Sequence, residues 1–300
     1  MTVPDPICPN LFIAGVPKAG TSSLHNWLAA HPDTLASRDK ETCFFADGDS
    51  HTFRSDFNSE HGLEAYARQF DSEAARRSSV IFESTPTYIY QKTALRMIPD
   101  LPTRPRCLFV LREPAAQIRS IFTYYRNNWA HIPPDLDFHD YLARVRRDDA
   151  RFAGNELAER PFRHARYLDF LIPWRDALGP DRMKVLTFEQ VTGDPRGTMR
   201  EIADWLDLDA GYYDDFAFRS DNESYQPRSR ALQRINIALR GRLPKGRIYR
   251  ALRAAYRGVN TDRPDRSPDA AGDMAEIRAR MAPHNEALAE AFDLDLTGWS

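Results

Sequence analysis

The chain has 300 residues, of which 42% are hydrophobic and 28% charged, and its 41 basic and 43 acidic side chains leave a net charge of −2. This length and apolar content suffice for a well-filled core, and we take residues 1–300 as a single α/β domain. Three scattered cysteines without a CxxC pair argue against a disulfide framework or a zinc site, and no apolar stretch reaches the roughly 18–20 residues of a membrane span. Because the amino terminus also lacks a basic leader, we expect a cytoplasmic protein without a membrane anchor.

Four short apolar runs are typical of buried β-strands. In chain order they are Asn10 to Ala14, Ser79 to Phe82, Cys107 to Leu111 and Met183 to Phe188. A helical pattern follows three of them, beginning at Thr21, at Pro114 and at the capping pair Asp194-Pro195. Alternating strands and helices imply right-handed crossovers, so the predicted fold has a central parallel sheet flanked by helices in three layers.

The carboxyl ends of the predicted strands are the place to look for a ligand, because open parallel sheets bind ligands at that edge. The residues that follow Ala14, Phe82 and Leu111 would all lie there. Polar and glycine-containing segments at these three junctions are therefore candidates for a ligand site.

The first junction, Gly15 to Ser23, reads GVPKAGTSS and lies between a predicted strand and a predicted helix. Backbone N–H groups and the positive end of the helix dipole converge on an anion at such a place. In the nucleoside triphosphatase pattern GxxxxGK[ST] the lysine follows the second glycine, but here Thr21 stands at that position and the lysine is Lys18. This departure disfavours the alternative of a magnesium-dependent kinase with a P-loop.

The loop resembles the 5′-phosphosulfate loop of the sulfotransferases that use 3′-phosphoadenosine 5′-phosphosulfate (PAPS). Four further segments resemble the carbohydrate or heparan-sulfate branch of that family in the same order along the chain: Lys40 to Phe45 (KETCFF), Glu83 to Tyr88 (ESTPTY), Val185 to Glu189 (VLTFE) and Leu294 to Trp299 (LDLTGW). The resemblance spans nearly the whole chain and implies a P-loop-like α/β fold. It also implies sulfuryl transfer from PAPS to a hydroxyl or amine of an acceptor.

The resemblance assigns residues to the co-substrate PAPS. Lys18 would stabilise the charge that develops on the bridging oxygen, and it is a catalytic as well as a binding residue. The 5′-phosphate would be held by the backbone and hydroxyl groups of Ala19, Gly20, Thr21, Ser22 and Ser23. Arg112 and Ser120 match the family's pair for the 3′-phosphate, and a guanidinium fork and a hydroxyl suit a phosphate dianion. No metal is expected to take part.

Glu41 is the candidate general base, because its motif is that of the glutamate-using branch. Its position before Cys43, Phe44 and Phe45 predicts partial burial, which would raise the pKa of a carboxylate toward that of a useful base. Another branch of the family uses a histidine, so His51 and His131 remain alternatives.

A basic segment lies toward the carboxyl terminus. Arg219 to Arg266 holds 13 lysine and arginine residues against four acids, a net charge of +9, so the rest of the chain carries −11. By charge alone the segment is most simply a solvated face, whereas the family resemblance implies that residues 219–273 form a lid over the 3′-phosphate. Pro244 to Arg247 and Val259 to Pro264 are equal candidates for the loop that contacts it. Peripheral contact with a membrane surface is compatible with this charge.

Nucleic-acid binding is the alternative for the basic segment. The segment has few aromatic residues for base stacking, so we do not expect a nucleic-acid partner. The expected partner is a small-molecule or glycan acceptor such as a polysaccharide or glycolipid, and we expect a bacterial cytosolic enzyme rather than one of the Golgi.

Overall fold

The structure of the chain is a computed structural model that describes residues 6–219, 226–227, 261–262 and 268–299. Side chains are described for residues 6–219 and 271–299. Within these ranges, no helix combines the length and apolarity needed to cross a membrane.

A five-stranded parallel sheet forms the centre of the fold, in the order β2-β3-β1-β4-β5. Its strands are β1 (Leu11–Gly15), β2 (Thr34–Ala36), β3 (Val80–Glu83), β4 (Arg106–Leu111) and β5 (Met183–Thr187). All five residues of β1 and the last five of β4 are buried, because strands in the middle of a sheet covered on both faces form continuous apolar runs. Phe12 of β1 lies opposite Glu83 of β3 and Cys107 of β4.

Helices of the described ranges lie between the strands and after the last of them. In chain order they are α1 (Thr21–Ala29), α2 (Gly62–Ala67), α3 (Ser72–Ala75), α4 (Lys92–Met97), α5 (Pro114–Tyr124), α6 (Phe138–Arg146), α7 (Glu156–Glu159), α8 (Pro161–His164), α9 (Tyr167–Leu178), α10 (Phe188–Gly193), α11 (Pro195–Trp205) and α12 (Pro268–Phe292). A π-helical turn, Tyr125–Trp129, extends α5. The predicted three-layer α/β fold with a central parallel sheet is confirmed.

The described residues fall into two compact units. The first comprises residues 6–113, 166–219 and 281–299 and contains the parallel sheet. Its core is rich in aromatic side chains, and the buried ring of Trp174 on α9 lies 5.5 Å from that of Phe109 on β4.

The second unit comprises residues 114–165 and 268–280 together with the short antiparallel pair β6 (Gln226–Pro227) and β7 (Thr261–Asp262). The buried rings of Phe122 on α5 and Tyr141 on α6 lie 5.0 Å apart. The guanidinium of Arg146 on α6 contacts the carboxylate of Glu276 on α12 at 2.7 Å.

The four predicted strands are present, and their observed ends differ from the predicted ones by at most one residue. The three predicted helices begin at Thr21, Pro114 and Pro195, as their sequence patterns predicted. The prediction overlooked β2, because its three half-buried residues are too few to show a pattern. The basic lid segment lies largely outside the described residues, as do both candidate clamp loops apart from residues 261–262. Residues 268–273, at the end of that segment, form the start of α12.

Candidate active site

The loop from Gly15 to Gly20 joins β1 to α1 and is tied to the sheet. The Val16 N–H donates to the Val110 carbonyl of β4 at 2.8 Å, and Ala19 N–H donates to the Val16 carbonyl at 3.3 Å. Lys18 and Gly20 both have positive φ, at 70° and 79°, which turns the chain back toward the start of α1. The loop therefore has one defined path.

The amino terminus of α1 presents its first N–H groups without a competing side chain. Gly20 is the N-cap, no side chain caps the helix, and no acidic residue lies in its first turn. The first N–H groups of a helix have no acceptor within the helix, and the helix dipole adds positive potential there. The hydroxyl side chains of Thr21 and Ser23 are buried beside them, and Ser22 is half-buried. This end of α1 can bind an anion.

Two glycines leave room for this path. A Cβ at Gly15 would lie 3.0 Å from the side chains of Ile89 and Phe109, and one at Gly20 would lie 3.0 Å from the ring of Phe188 in addition to the strain of its positive φ. A side chain at either position would move the loop.

Lys18 lies in a largely buried, positively charged environment. Burial, followed by the charge of Arg112, lowers its pKa from 10.5 to about 8. The carboxylate of Glu41 acts in the opposite direction and the ammonium of Lys40 in the same one. These four charged side chains therefore influence one another in one site of the first unit.

Arg112 contacts the loop from Gly15 to Gly20 directly. Its Nη1 donates to the Lys18 carbonyl at 2.8 Å, and its guanidinium lies 4.5 Å from the centre of the Phe188 ring. Burial lowers the pKa of Arg112, and the Glu189 carboxylate opposes this effect. Among the described residues, no carboxylate forms an ion pair with Arg112. A half-buried guanidinium of this kind suits an anionic ligand.

The closing segment of the chain supports Arg112 from behind. The Tyr167 hydroxyl donates to the Arg112 carbonyl at 2.8 Å, and the Trp299 ring lies 6.2 Å from that of Tyr167. Trp299 Nε1 also donates to Glu189 at 3.1 Å. The LDLTGW motif at the carboxyl terminus therefore packs beside the residues that fix Arg112.

Ser120 lies on α5, in the second unit. Its side chain is buried, and its hydroxyl has no hydrogen-bond partner in the described part of the chain. A buried hydroxyl without a protein partner is a suitable group for a ligand oxygen. The pairing of Arg112 with Ser120 on a 3′-phosphate stays a prediction.

Glu41 differs from the sequence-based expectation. The predicted burial is wrong, because its side chain is 52% exposed and pairs with Lys40 at 3.0 Å. The neighbouring Phe44 and Phe45 are fully buried, and their rings pack into the core instead of covering the carboxylate. The exposed carboxylate is accessible to an acceptor from solvent, and its role as base stays a prediction.

Of the two alternative bases, His131 of the second unit has a defined hydrogen-bond partner. The Asn155 Oδ1 accepts from the Ala158 N–H at 3.1 Å, so its Nδ2 is oriented to donate to His131 Nδ1 at 3.1 Å. In the neutral imidazole this contact leaves the proton on Nε2, and the role of His131 as an alternative base stays a prediction. His51 is half-buried in the first unit.

Two residues of the site had no predicted role although both lie in quoted motifs. Lys40 pairs with Glu41, and Phe188 packs on Arg112 and beside Gly20. Lys40 could have been noted from its position next to the candidate base. The contacts of Phe188 depend on the neighbouring strands β4 and β5 and leave no local signal.

A parallel sheet with an anion-binding loop between its central strand and a helix defines the class of P-loop-like α/β proteins. Comparison with known proteins gives the family within that class. The profile described as "Sulfotransferase family" matches residues 9–215, and the chain belongs to this family.

Similar proteins support this assignment at low sequence identity. The chain is 24% identical over 207 residues to a bifunctional heparan sulfate N-deacetylase/N-sulfotransferase 1 of Caenorhabditis briggsae, covering 67% of this chain and 23% of that protein. It is 24% identical over 202 residues to heparan sulfate glucosamine 3-O-sulfotransferase 3B1 of Mus musculus, covering 67% of this chain and 46% of that protein. The chain thus matches between a quarter and a half of the length of these relatives.

A sulfotransferase from Alicyclobacillus acidocaldarius has the same fold. The two structures superpose with a TM-score of 0.67 at 21% identity, covering 98% of this chain and 99% of the other.

Proposed function

We propose that this protein transfers the sulfuryl group of PAPS to a hydroxyl or amine of a carbohydrate or glycolipid acceptor. The observation that carries the proposal is the joint placement of Lys18, Arg112 and Glu41 in one electrostatic environment at the amino terminus of α1. Two cations and uncapped helix N–H groups suit a nucleotide with two phosphate positions, and the exposed carboxylate suits a proton acceptor beside them.

The geometry of the loop supports the binding roles that the family resemblance implies. Backbone N–H groups of Ala19 to Ser22 and the hydroxyls of Thr21 to Ser23 hold the 5′-phosphate. Arg112 binds the 3′-phosphate from the side of the loop, and Ser120 supplies a hydroxyl to the same group. A donor without a 3′-phosphate would leave the Arg112 charge buried and without a counterion, which is the physical basis for selectivity.

The reaction is an in-line displacement at sulfur. A Glu41 carboxylate oxygen takes the proton of the acceptor O–H or N–H while the acceptor atom forms a bond to sulfur. The bond between sulfur and the bridging oxygen breaks, and its electron pair stays on the 5′-phosphate of the product, adenosine 3′,5′-bisphosphate (PAP). Lys18 stabilises that oxygen in its protonated form, and positioning with electrostatic stabilisation supplies most of the rate.

A carbohydrate acceptor is supported by the similarity to sulfotransferases that are named for heparan sulfate and glucosamine. Both N- and O-sulfotransferases are among them, so the acceptor group is an amine or a hydroxyl.

Binding and transfer test the proposal separately. Calorimetry should show PAP binding more tightly than AMP or ADP, without added metal. Transfer from sulfur-labelled PAPS is then measured with a desulfated glucosamine polysaccharide, a glycolipid extract and a simple phenol as acceptors, with Glu41→Gln as the inactive control. Absence of PAP binding, or phosphoryl transfer from labelled ATP with Mg²⁺ in place of sulfuryl transfer, would overturn the proposal.

A further inference from the structure

Glu83 is a fully buried carboxylate at the end of β3, and the proposed reaction does not use it. It accepts five hydrogen bonds from protein groups. These come from Thr42 N (3.3 Å), Thr42 Oγ1 (2.9 Å), Thr85 Oγ1 (2.7 Å), Tyr66 OH (2.5 Å) and Tyr88 OH (3.0 Å). A buried carboxylate with this many donors is an organising centre, because each donor lost would leave a buried polar group unpaired.

The donors keep their protons and the carboxylate accepts. Burial raises the pKa of both Tyr66 and Tyr88 well above the ordinary value, so both hydroxyls remain donors. Burial raises the pKa of Glu83 itself, and the hydrogen bonds from Tyr66, Thr85, Thr42 and Tyr88 oppose that effect.

The segment that Glu83 organises is the loop after Glu41. This loop has no regular secondary structure, and its four consecutive N–H groups all donate to side chains. Their acceptors are Glu83 for Thr42, Thr85 Oγ1 for Cys43 (3.3 Å), Thr42 Oγ1 for Phe44 (3.2 Å) and Tyr88 OH for Phe45 (3.2 Å). Each of these acceptors is Glu83 or a group that donates to Glu83.

Glu41 lies between two anchors that come from consecutive residues of one strand end. On one side Ser84 N–H donates to the Lys40 carbonyl at 3.0 Å, and on the other the Glu83 carboxylate accepts from Thr42. Glu83 is paired in register with Phe12 of β1, the strand that leads into the phosphate loop. The loop that carries Glu41 is thus fixed to the sheet that carries Lys18.

We propose that Glu83 is a positioning residue for the reaction. Its carboxylate fixes the Thr42–Phe45 backbone to the sheet and so holds Glu41 in position relative to Lys18. The inference rests on the proposed role of Glu41 as base. The side chain of Glu41 is exposed and pairs with the neighbouring Lys40, so the position of its backbone sets where the carboxylate lies. Displacement of a catalytic group by about 1 Å can lower a rate by about 10²-fold.

Glu83→Gln is the direct test, because it keeps the shape of the side chain and replaces one acceptor oxygen by an NH₂ group. We expect turnover at saturating acceptor to fall about 10- to 100-fold, while the KM for PAPS and the affinity for PAP stay within about threefold. Amide hydrogen exchange of the ligand-free protein provides the second measurement. Peptides covering Thr42 to Phe45 should exchange at least about tenfold faster than in wild type, and peptides from β1 should not change.

A double-mutant cycle shows whether the effect passes through Glu41. If it does, turnover of the double variant Glu41→Gln/Glu83→Gln is no lower than that of Glu41→Gln alone. If the two residues act independently, the fold-reductions in turnover of the two single variants multiply in the double variant. Unchanged exchange or unchanged turnover in Glu83→Gln, with Glu41→Gln impaired, overturns the positioning role and leaves the base assignment standing. Near-normal turnover in Glu41→Gln overturns the base assignment and the positioning role with it.

Tyr66→Phe gives the same test should Glu83→Gln fail to fold, because it removes a single donor from the carboxylate. Its matched control is Tyr141→Phe, which removes a hydroxyl that is equally buried and donates to the Ala158 carbonyl at 2.8 Å in the second unit. Faster exchange at Thr42 to Phe45 and reduced turnover in Tyr66→Phe but not in Tyr141→Phe supports the proposal. Equal effects of the two variants overturn it.

Discussion

Lys18→Met is expected to make the ligand-free protein more stable while abolishing its binding of PAP. The ammonium of Lys18 is largely buried beside Arg112, and its pKa of about 8 reports how unfavourable the charged form is in the folded chain. Methionine has a similar length, no charge and no β-branch, so the backbone strain at the φ of 70° is the same in both proteins.

The magnitude follows from the two pKa values. The difference between 10.5 in the unfolded chain and about 8 in the folded one corresponds to about 3.5 kcal/mol, at about 1.4 kcal/mol for each tenfold change. The folded pKa is the lower, so the unfolded state binds more protons between these values and wild-type stability rises with pH there. The loss of stability caused by the charged Lys18 ammonium is complete below pH 8 and disappears as the pH approaches 10.5. From pH 7 to 9.5 the wild type should regain about 2 kcal/mol from this group.

The assay is urea-induced unfolding at pH 7.0 and at pH 9.5, followed by tryptophan fluorescence. Relative to wild type, Lys18→Met should gain up to about 3 kcal/mol in free energy of unfolding at pH 7.0 and clearly less at pH 9.5. The control is Lys92→Met on the exposed first residue of α4, which should change stability by no more than about 0.5 kcal/mol at either pH. Adding PAP should stabilise the wild type and leave Lys18→Met unchanged.

A Lys18→Met protein that is less stable than wild type at pH 7.0 would refute this reasoning, because the buried charge would then be favourable in the ligand-free state. A stability difference that is the same at the two pH values would refute it as well. In that case the change would come from packing and not from ionisation.

The other predictions concern the nucleotide and the base. Arg112→Ala should weaken PAP binding by about 1.5–3 kcal/mol and remove the preference for PAP over AMP in calorimetry. Arg112→Lys should be intermediate, because lysine keeps the charge but lacks the two parallel N–H donors of the guanidinium. Unchanged selectivity in Arg112→Ala would exclude the 3′-phosphate assignment. Ser120→Ala should weaken PAP binding by about 1 kcal/mol and leave AMP binding unchanged, since a neutral hydroxyl makes the weaker bond. Glu41→Gln should lower turnover about 10²- to 10⁴-fold with PAP affinity within a few-fold of wild type, and near-normal turnover would direct attention to His51 or His131. Gly20→Ala should raise the Kd for PAP at least about tenfold, because the new Cβ meets the Phe188 ring at a positive φ; an unchanged Kd would mean that the loop adapts without cost.

The stability prediction places Lys18 among residues selected for function at the expense of stability. Binding an anionic donor would add a favourable electrostatic interaction with the Lys18 ammonium, so the protonated form is more stable in the complex than in the ligand-free protein. Proton uptake on PAP binding near pH 8.5 is the linked consequence, because the ligand raises the pKa of Lys18.

Much of the fold could be predicted from local patterns. Strands β1, β3, β4 and β5 are short apolar runs that end in glycine, proline or charge, and these signals depend only on neighbours in the chain. The loop from Gly15 to Gly20 could be predicted for the same reason, because the strand, the glycine-containing turn and the start of the helix are contiguous in the sequence. The family follows from such segments in their order along the chain, and the match over residues 9–215 confirms it.

The tertiary structure decided what surrounds each charged group. Glu41 was expected to be buried by its apolar neighbours Phe44 and Phe45, yet those rings turn into the core and the carboxylate faces solvent. Periodicity shows that a segment has an apolar side, but in an irregular loop it does not show which way each side chain points.

The Glu83 centre depends on contacts between residues far apart in sequence. Glu83 and Thr42 are 41 positions apart, and the parallel register of β3 beside β2, the strand that precedes Thr42, brings them together. By sequence, a single glutamate after an apolar run is an ordinary strand end, because the adjacent residues do not indicate that five groups donate hydrogen bonds to it. Local sequence determines which elements form and which chemical groups they carry, whereas the burial and hydrogen bonding that set the charge and position of those groups arise only when the strands pair.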